Sequence, residues 1–195
     1  MIEMDANDGV FAVKAARKTI ESEVIGASPE IEFPTSFDEP RGVFVTINTY
    51  PEGALRGCIG YPTPVYPLKD ALVFSAQSAC HDPRFPRLTD REANNCTIEV
   101  TILTPPTLLE ADKEDLPNNI VIGRDGLMIQ FGRRTGLLLP QVPVEYGWDP
   151  VEFLEQLCLK ANLPIDAWKL SGAEIYSFSG QIFHETSPHG DVTEG

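Results

Sequence analysis

Positive charge is scarce in this sequence. Fifteen Lys and Arg stand against 29 Asp and Glu, a net charge of −14. A chain this acidic is repelled by phosphate backbones unless its arginines cluster, so bulk nucleic-acid binding is disfavoured. Long apolar runs are missing: none approaches the roughly 20 residues needed to span a bilayer. The opening Met1-Ile2-Glu3-Met4-Asp5 is acidic where a secretory signal would be basic. The expectation is a cytoplasmic protein with no membrane association. Cysteine is sparse and unpaired in sequence. Cys58, Cys80, Cys96 and Cys158 form no Cys-x-x-Cys motif, which argues against a zinc knuckle or a thioredoxin-type dithiol and leaves four free thiols in a reducing compartment. The three histidines, His81, His184 and His189, make no close ligand pair, so no metal site is expected. Glycine-rich phosphate loops of the Walker or dinucleotide type are absent, and no pattern names a cofactor. There are no internal repeats and no long low-complexity tract.

What is present suits one globular domain of 195 residues with two subdomains. Val10, Val13, Ala16, Ile20 and Val24 recur at helical spacing after Asp8-Gly9, with Gly26 as the stop. Residues 27–40 are rich in Pro, Ser and acids and read as a loop. Residues 43–49 alternate as a half-buried strand, Tyr50-Pro51-Glu52-Gly53 makes a turn, and residues 54–59 return as the second arm of a hairpin. Pro67 can open a helix whose face is Leu68, Leu72, Ser75, Ala76 and Ala79. Thr89-Asp90-Arg91-Glu92 matches a capping box, and residues 97–103 form a strand with Ile98, Val100 and Ile102 inward and Glu99 and Thr101 outward.

Further on, residues 120–122, 127–131 and 137–139 flank two turns and read as a three-stranded meander. Asp149-Pro150-Val151-Glu152 caps a helix through Val151, Leu154, Cys158 and Ala161. Residues 173–183 read as one last strand, and residues 187–195 as a frayed tail. Helices and strands mix without βαβ alternation, which predicts an α+β fold with a mainly antiparallel sheet and packed helices.

The chemistry-bearing stretch is Leu55-Arg56-Gly57-Cys58-Ile59-Gly60. Two glycines let another group approach the backbone closely. Arg56 lies two residues from Cys58. In a regular strand both share one face, where the guanidinium could lower the thiol pKa or hold an anion; a kink at Gly57 would separate them. The bland alternative is a tight turn with Cys58 as a small core residue. His81 and Asp82 adjoin a second charged stretch, Asp82-Pro83-Arg84-Phe85-Pro86. His81 reads better as a surface histidine than as a base for Cys58. Asp82 and Arg84 suit either a ligand site or a loop-pinning pair. Glu145, set among apolar and aromatic residues, is a candidate proton-transfer group. Asp149 and Trp148 read better as a helix cap and a core residue, and Arg133-Arg134 as a solvated turn.

LRGCIG resembles the signature string of the AMMECR domain family, protein A of the AmmeMemoRadiSam grouping. DPRFP and the stretch Leu138-Leu139-Pro140-Gln141-Val142 through Glu145-Tyr146-Gly147-Trp148-Asp149 resemble the same family in order and spacing. Pro143 and Tyr146 depart from its pattern, where a small and an acidic residue are expected. The resemblance implies a single AMMECR-like domain over 1–195, with two lobes and a cleft between them lined by LRGCIG. In the enzyme reading, Cys58 and Glu145 are catalytic. Arg56, Gly57, Gly60, Asp82 and Arg84 then bind a small anionic substrate, with no metal and no assigned reaction class. In the alternative reading the chain is a binding or scaffold module whose groove docks a nucleotide or the Memo-like and radical-SAM proteins that the resemblance brings in as partners.

Overall fold

The computed structural model describes residues 4–195. The chain divides into two compact units, one formed by residues up to Thr104 together with Gln181–Gly195, the other by Pro105–Gly180. Both are helix-on-sheet arrangements, and the α+β expectation holds.

The first unit opens with α1 (Ala6–Val24). Asp5, not Asp8, is its cap and accepts from the Asp8 N–H, so the helix starts before the Asp8-Gly9 pair expected to precede it. A hairpin follows, β1 (Val43–Thr49) and β2 (Leu55–Tyr61), then α2 (Leu68–Ala79), the four-residue α3 (Asp90–Ala93) and β3 (Cys96–Leu103). Pro67 stands at the cap of α2 rather than inside it. The predicted capping box is present at α3, with Thr89 and Glu92 bonding each other's backbone N–H. The second unit holds β4 (Thr107–Leu108), β5 (Gly126–Phe131), β6 (Arg134–Leu138), α4 (Gln141–Tyr146), α5 (Pro150–Lys160) and β7 (Ala173–Phe178). The chain then rejoins the first sheet as β8 (Gly180–Glu185) and β9 (Val192–Glu194). The sheet orders are β2-β1-β3-β8-β9 and β4-β7-β5-β6.

Alternation decides which face each strand buries. Val43, Val45 and Ile47 of β1, Ile98, Val100 and Ile102 of β3, and Phe183 of β8 are buried with Ala12, Val13, Ala16 and Ile20 of α1 and Leu68, Leu72 and Ala76 of α2. The other face of that sheet carries Phe44, Thr46, Asn48, Thr97, Glu99, Thr101 and His184, all half-buried. A separate core joins Phe153, Leu154, Leu157 and Cys158 of α5 to Leu127, Ile129 and Ile175.

Three further expectations are corrected. Residues 120–122 are not a strand. The Asp125 carboxylate accepts the Val121 N–H, while the Arg124 and Asp125 N–H groups return to the Val121 carbonyl, closing a turn in place of a ladder. β5 pairs instead with β6 and β7. The single strand over 173–183 is two strands in different sheets, because Ala173 and Ile175 enter one core and Phe183 the other. Residues 187–195 are not frayed. A turn closed by Gly190 N–H to Ser187 O returns the chain as β9, whose Val192 to Glu194 pair with β8.

One buried ion pair joins distant parts of the first unit. Arg17 of α1 meets Glu185 of β8 in a bidentate pair and also donates to the Ala93 and Cys96 carbonyls. Glu185 accepts the Ile98 N–H as well. Removing one side of such a pair strands a desolvated charge. Arg17→Ala is expected to lower unfolding free energy by about 3–5 kcal/mol, read from the midpoint of a urea titration; an unshifted midpoint would show that the pair contributes nothing.

Candidate functional site

LRGCIG is the edge strand of the first sheet. Its register against β1 slips once: Gly57 opposes Ile47, and Leu55 opposes Asn48, leaving Arg56 as the extra residue of a bulge. A bulge re-aims the side chains around it. Arg56 is buried and bonds both Glu92 oxygens (3.0 and 3.2 Å) and the Pro86 carbonyl (2.9 Å). Cys58 sits on the opposite, outward face, where Thr46 of β1 faces it and the Thr46 hydroxyl donates to its sulfur at 3.3 Å. Of the two arrangements open from the sequence, the strand takes the irregular one, and the bulge separates Arg56 from Cys58. Arg56 also holds the Glu92 carboxyl down at about 2, aided by the Thr89 hydroxyl and N–H.

The glycines act by close approach. A side chain on Gly57 would collide with the Ala79 carbonyl oxygen at the end of α2. One on Gly60 would collide with the Val43 carbonyl and the Phe44 ring. Gly57 thus lets the edge strand lie directly against the helix terminus.

An edge strand has backbone groups with no neighbouring strand to pair with. At Cys58 they are taken by DPRFP. The Cys58 N–H donates to Asp82 Oδ2 (2.9 Å), and Arg84 Nη2 donates to the Cys58 carbonyl (3.2 Å). Arg84 in turn forks onto Asp82 through Nε (3.0 Å) and Nη2 (2.6 Å), and its own N–H returns to Oδ1. The carboxylate–guanidinium pair occupies the place of a missing strand. Asp82 is 2% exposed, and Arg84, with the Cys58 and Arg84 N–H groups, holds its carboxyl well below the usual carboxylate range against the opposing effect of burial. The Arg84 side chain remains 55% exposed. Its guanidinium is made more basic chiefly by Asp82, and it also feels the Cys58 sulfur. The cation bonded to the Cys58 backbone is thus Arg84. Phe85 lies under both guanidiniums, 5.8 Å from Arg56 and 5.7 Å from Arg84.

The other cysteines are buried, while Cys58 is half-exposed. Burial pushes the Cys80 thiol up to about 12 and those of Cys96 and Cys158 upward. His81 is exposed and bonded to Glu23 at 2.8 Å, as a surface histidine would be. In the second unit, Glu145 is exposed on α4, a short helix that the sequence reading did not foresee. Asp149 caps α5 by accepting the Val151 and Glu152 N–H groups, and Trp148 packs on that unit's core and stacks on Tyr146 at 4.9 Å. No group of three or more His, Cys, Asp or Glu suited to a metal ion occurs among the described residues. Nor, among them, is any helix long and apolar enough to cross a membrane.

Two side chains were not singled out from the sequence. Thr46 faces Cys58 across β1–β2, and Glu99 faces Thr46 across β1–β3. The alternation of β1 and β3 places both outward, but only the pairing register aligns them with Cys58. Burial raises the Glu99 carboxyl, partly offset by His184 on β8.

Because Asp82 is ionised when folded, its stabilisation is present above the unfolded carboxyl pKa near 4 and is lost as pH falls through the lower folded value. Asp82→Asn is expected to cost about 2–3 kcal/mol at pH 7, with the gap to wild type narrowing only below about pH 4. Denaturant titrations at stepped pH read both; a gap that closes between pH 7 and 5 would contradict the assignment.

The sequence profile of the AMMECR1 family matches residues 13–183. Protein MJ0810 of Methanocaldococcus jannaschii is 52% identical over 191 residues, covering 96% of this chain and 94% of that protein. A protein of Aquifex aeolicus is 53% identical over 168 residues, 84% of this chain and 86% of its own. The crystal structure of the uncharacterized protein PH0010 from Pyrococcus horikoshii superposes with a TM-score of 0.80 at 44% identity, covering 100% of this chain and 99% of that one. None of these names states an activity. With a profile match over most of its length and relatives this similar end to end, the chain belongs to the AMMECR1 family.

Proposed function

We propose that the protein is an enzyme whose Cys58 thiol acts on, or holds, a small anionic molecule. The observation that carries this reading is the setting of Cys58. It alone of the four cysteines is half-exposed. A hydroxyl donates to its sulfur, both of its backbone groups are clamped, and an exposed guanidinium stands beside it. Arg84 supplies the anion contact, since more than half of its side chain faces solvent while Asp82 fixes its orientation. Arg56 is a positioning residue: its fork is filled by Glu92 and Pro86. Gly57 and Gly60 shape the strand, and Asp82 holds Cys58 and Arg84 in register. Glu145 belongs to the other unit and enters the reading through the family motif alone.

The test is the iodoacetamide rate at each cysteine, read by mass spectrometry across pH in the folded protein. Cys58 is expected to label at least tenfold faster than Cys80, Cys96 and Cys158, and inorganic phosphate or a small carboxylate is expected to slow it in wild type but not in Arg84→Ala. Labelling of Cys58 no faster than that of the buried thiols would make it structural.

A docking module is a second reading, favoured by a different observation. Tyr61, Tyr66 and Phe74 pack edge to face, 5.3 to 6.5 Å between centroids, yet Tyr66 and Phe74 are 42% and 41% exposed. Under this reading Tyr66→Ala weakens capture of a Memo-like partner at least tenfold, and Cys58→Ser leaves it unchanged; equal capture by both variants removes the aromatic cluster from consideration.

A further inference from the structure

The outward face of the first sheet holds a row of functional groups that neither the signature strand nor DPRFP accounts for. Cys58 on β2 opposes Thr46 on β1, and Thr46 opposes Glu99 on β3. Strands lie about 4.8 Å apart, which sets the Cys58 and Glu99 backbones about 10 Å apart with the threonine hydroxyl between them. All three side chains project to one side, because their neighbours Ile47, Val45, Ile98 and Val100 fill the opposite face. His184 on β8 shares the outward face, opposite to the buried Phe183 and Glu185, and bears on Glu99 electrostatically. The other outward residues of β1 and β3, Phe44, Asn48, Thr97 and Thr101, carry no charge. Glu99 therefore has one titratable neighbour within its sheet, His184, and one group of different chemistry beyond Thr46, the Cys58 sulfur.

We propose that Glu99 is the proton-exchanging carboxyl of the Cys58 site, acting on a ligand atom that lies over Thr46. The proposal rests on the reading of Cys58 given above and deepens it. A small ligand whose anionic end meets Arg84 and whose reacting carbon meets the Cys58 sulfur would extend along the row. Its carbonyl oxygen or basic nitrogen would then face Glu99. In the neutral carboxyl the Oε–H bond breaks as the new O–H or N–H bond forms on the ligand. The carboxylate left behind, with His184 beside it on the same face, takes the proton back in the reverse direction. A carboxyl desolvated on a sheet face holds its proton to higher pH than a solvated one, which suits this exchange. Glu99 is preferred to Glu145 for the role because it lies on the same sheet face as the thiol, at a defined register.

The test uses the intact chain and iodoacetamide, a neutral probe. In Glu99→Gln, loss of the titratable carboxyl two strands from the sulfur is expected to raise the Cys58 alkylation rate about two- to tenfold at pH values where Glu99 is ionised. It is also expected to remove an inflection on the acid side of the wild-type profile. Glu99→Asp should restore that inflection. Independently of any thiol reactivity, the Glu99 side-chain carboxyl, followed by 13C NMR, is expected to titrate above the ordinary value of about 4.3 and to shift when Cys58 is carboxamidomethylated. Superimposable profiles for wild type and Glu99→Gln, with Cys58 reactive in both, would overturn the role of Glu99 and leave the Cys58 reading standing. An unreactive Cys58 in wild type would remove both. A Glu99 carboxyl that titrates normally and ignores Cys58 alkylation would overturn the present proposal whatever the thiol does.

Discussion

The Asp82 carboxylate is the constraint on which the candidate site depends. An edge strand with glycines at two of six positions has weak intrinsic preference for one conformation and nothing to pair with on its free side. One buried carboxylate meets that deficit, taking the Cys58 N–H, the Arg84 N–H and two guanidinium donors together. The same anion thus fixes the strand, the loop and the direction of the exposed arginine. Burying a charge is costly when it is alone, but here each of its acceptor directions meets a donor and the counter-charge is bidentate. A second fork, Arg56 to Glu92, repeats the logic one loop further on, with the capping box of α3 sharing its carboxylate. Two arginines and two acids in LRGCIG, DPRFP and the following helix start therefore form one connected network around Phe85.

This division of labour separates the two arginines that the motifs place close together. Arg56 is enclosed and bonded to Glu92 and Pro86, whereas Arg84 keeps more than half of its side chain in solvent. Substituting lysine at either position would keep the charge and lose the planar fork. The network also gives the glycines their meaning. Gly57 brings the strand against the Ala79 carbonyl at the end of α2, and that contact holds the DPRFP loop, which continues from α2, within reach of Cys58.

Much of the fold was legible in the sequence because it follows from periodicity and capping. The faces of α1, α2 and α5, the inward residues of β1 and β3, and the boxes at Thr89 and Asp149 all obey short-range rules. What was illegible depends on long-range choice. Nothing within residues 120–122 distinguishes an apolar strand from an apolar turn until Asp125 claims the Val121 N–H. Residues 173–183 alternate well enough for one strand, and only the existence of two cores splits them. The site followed the same division. Cys58, Asp82 and Arg84 lie in recognisable strings and are brought together. The bulge that turns Arg56 away, and the register that aligns Thr46 and Glu99 with Cys58, belong to strand pairing and leave no local mark.

The first unit is assembled from two separated stretches of chain, with the second unit, Pro105–Gly180, lying wholly between them in sequence. During synthesis β3 emerges early and then waits, with its far edge lacking β8, while the whole of the second unit is made. The continuous segment is thus the first to have all of its strands available, although it begins later. Arg17 spends that interval with the Ala93 and Cys96 carbonyls in reach but without its counter-charge Glu185. The topology makes completion of the Cys58-bearing sheet a late event on the ribosome, and it makes the β3 edge the surface most open to mispairing in a nascent or truncated chain.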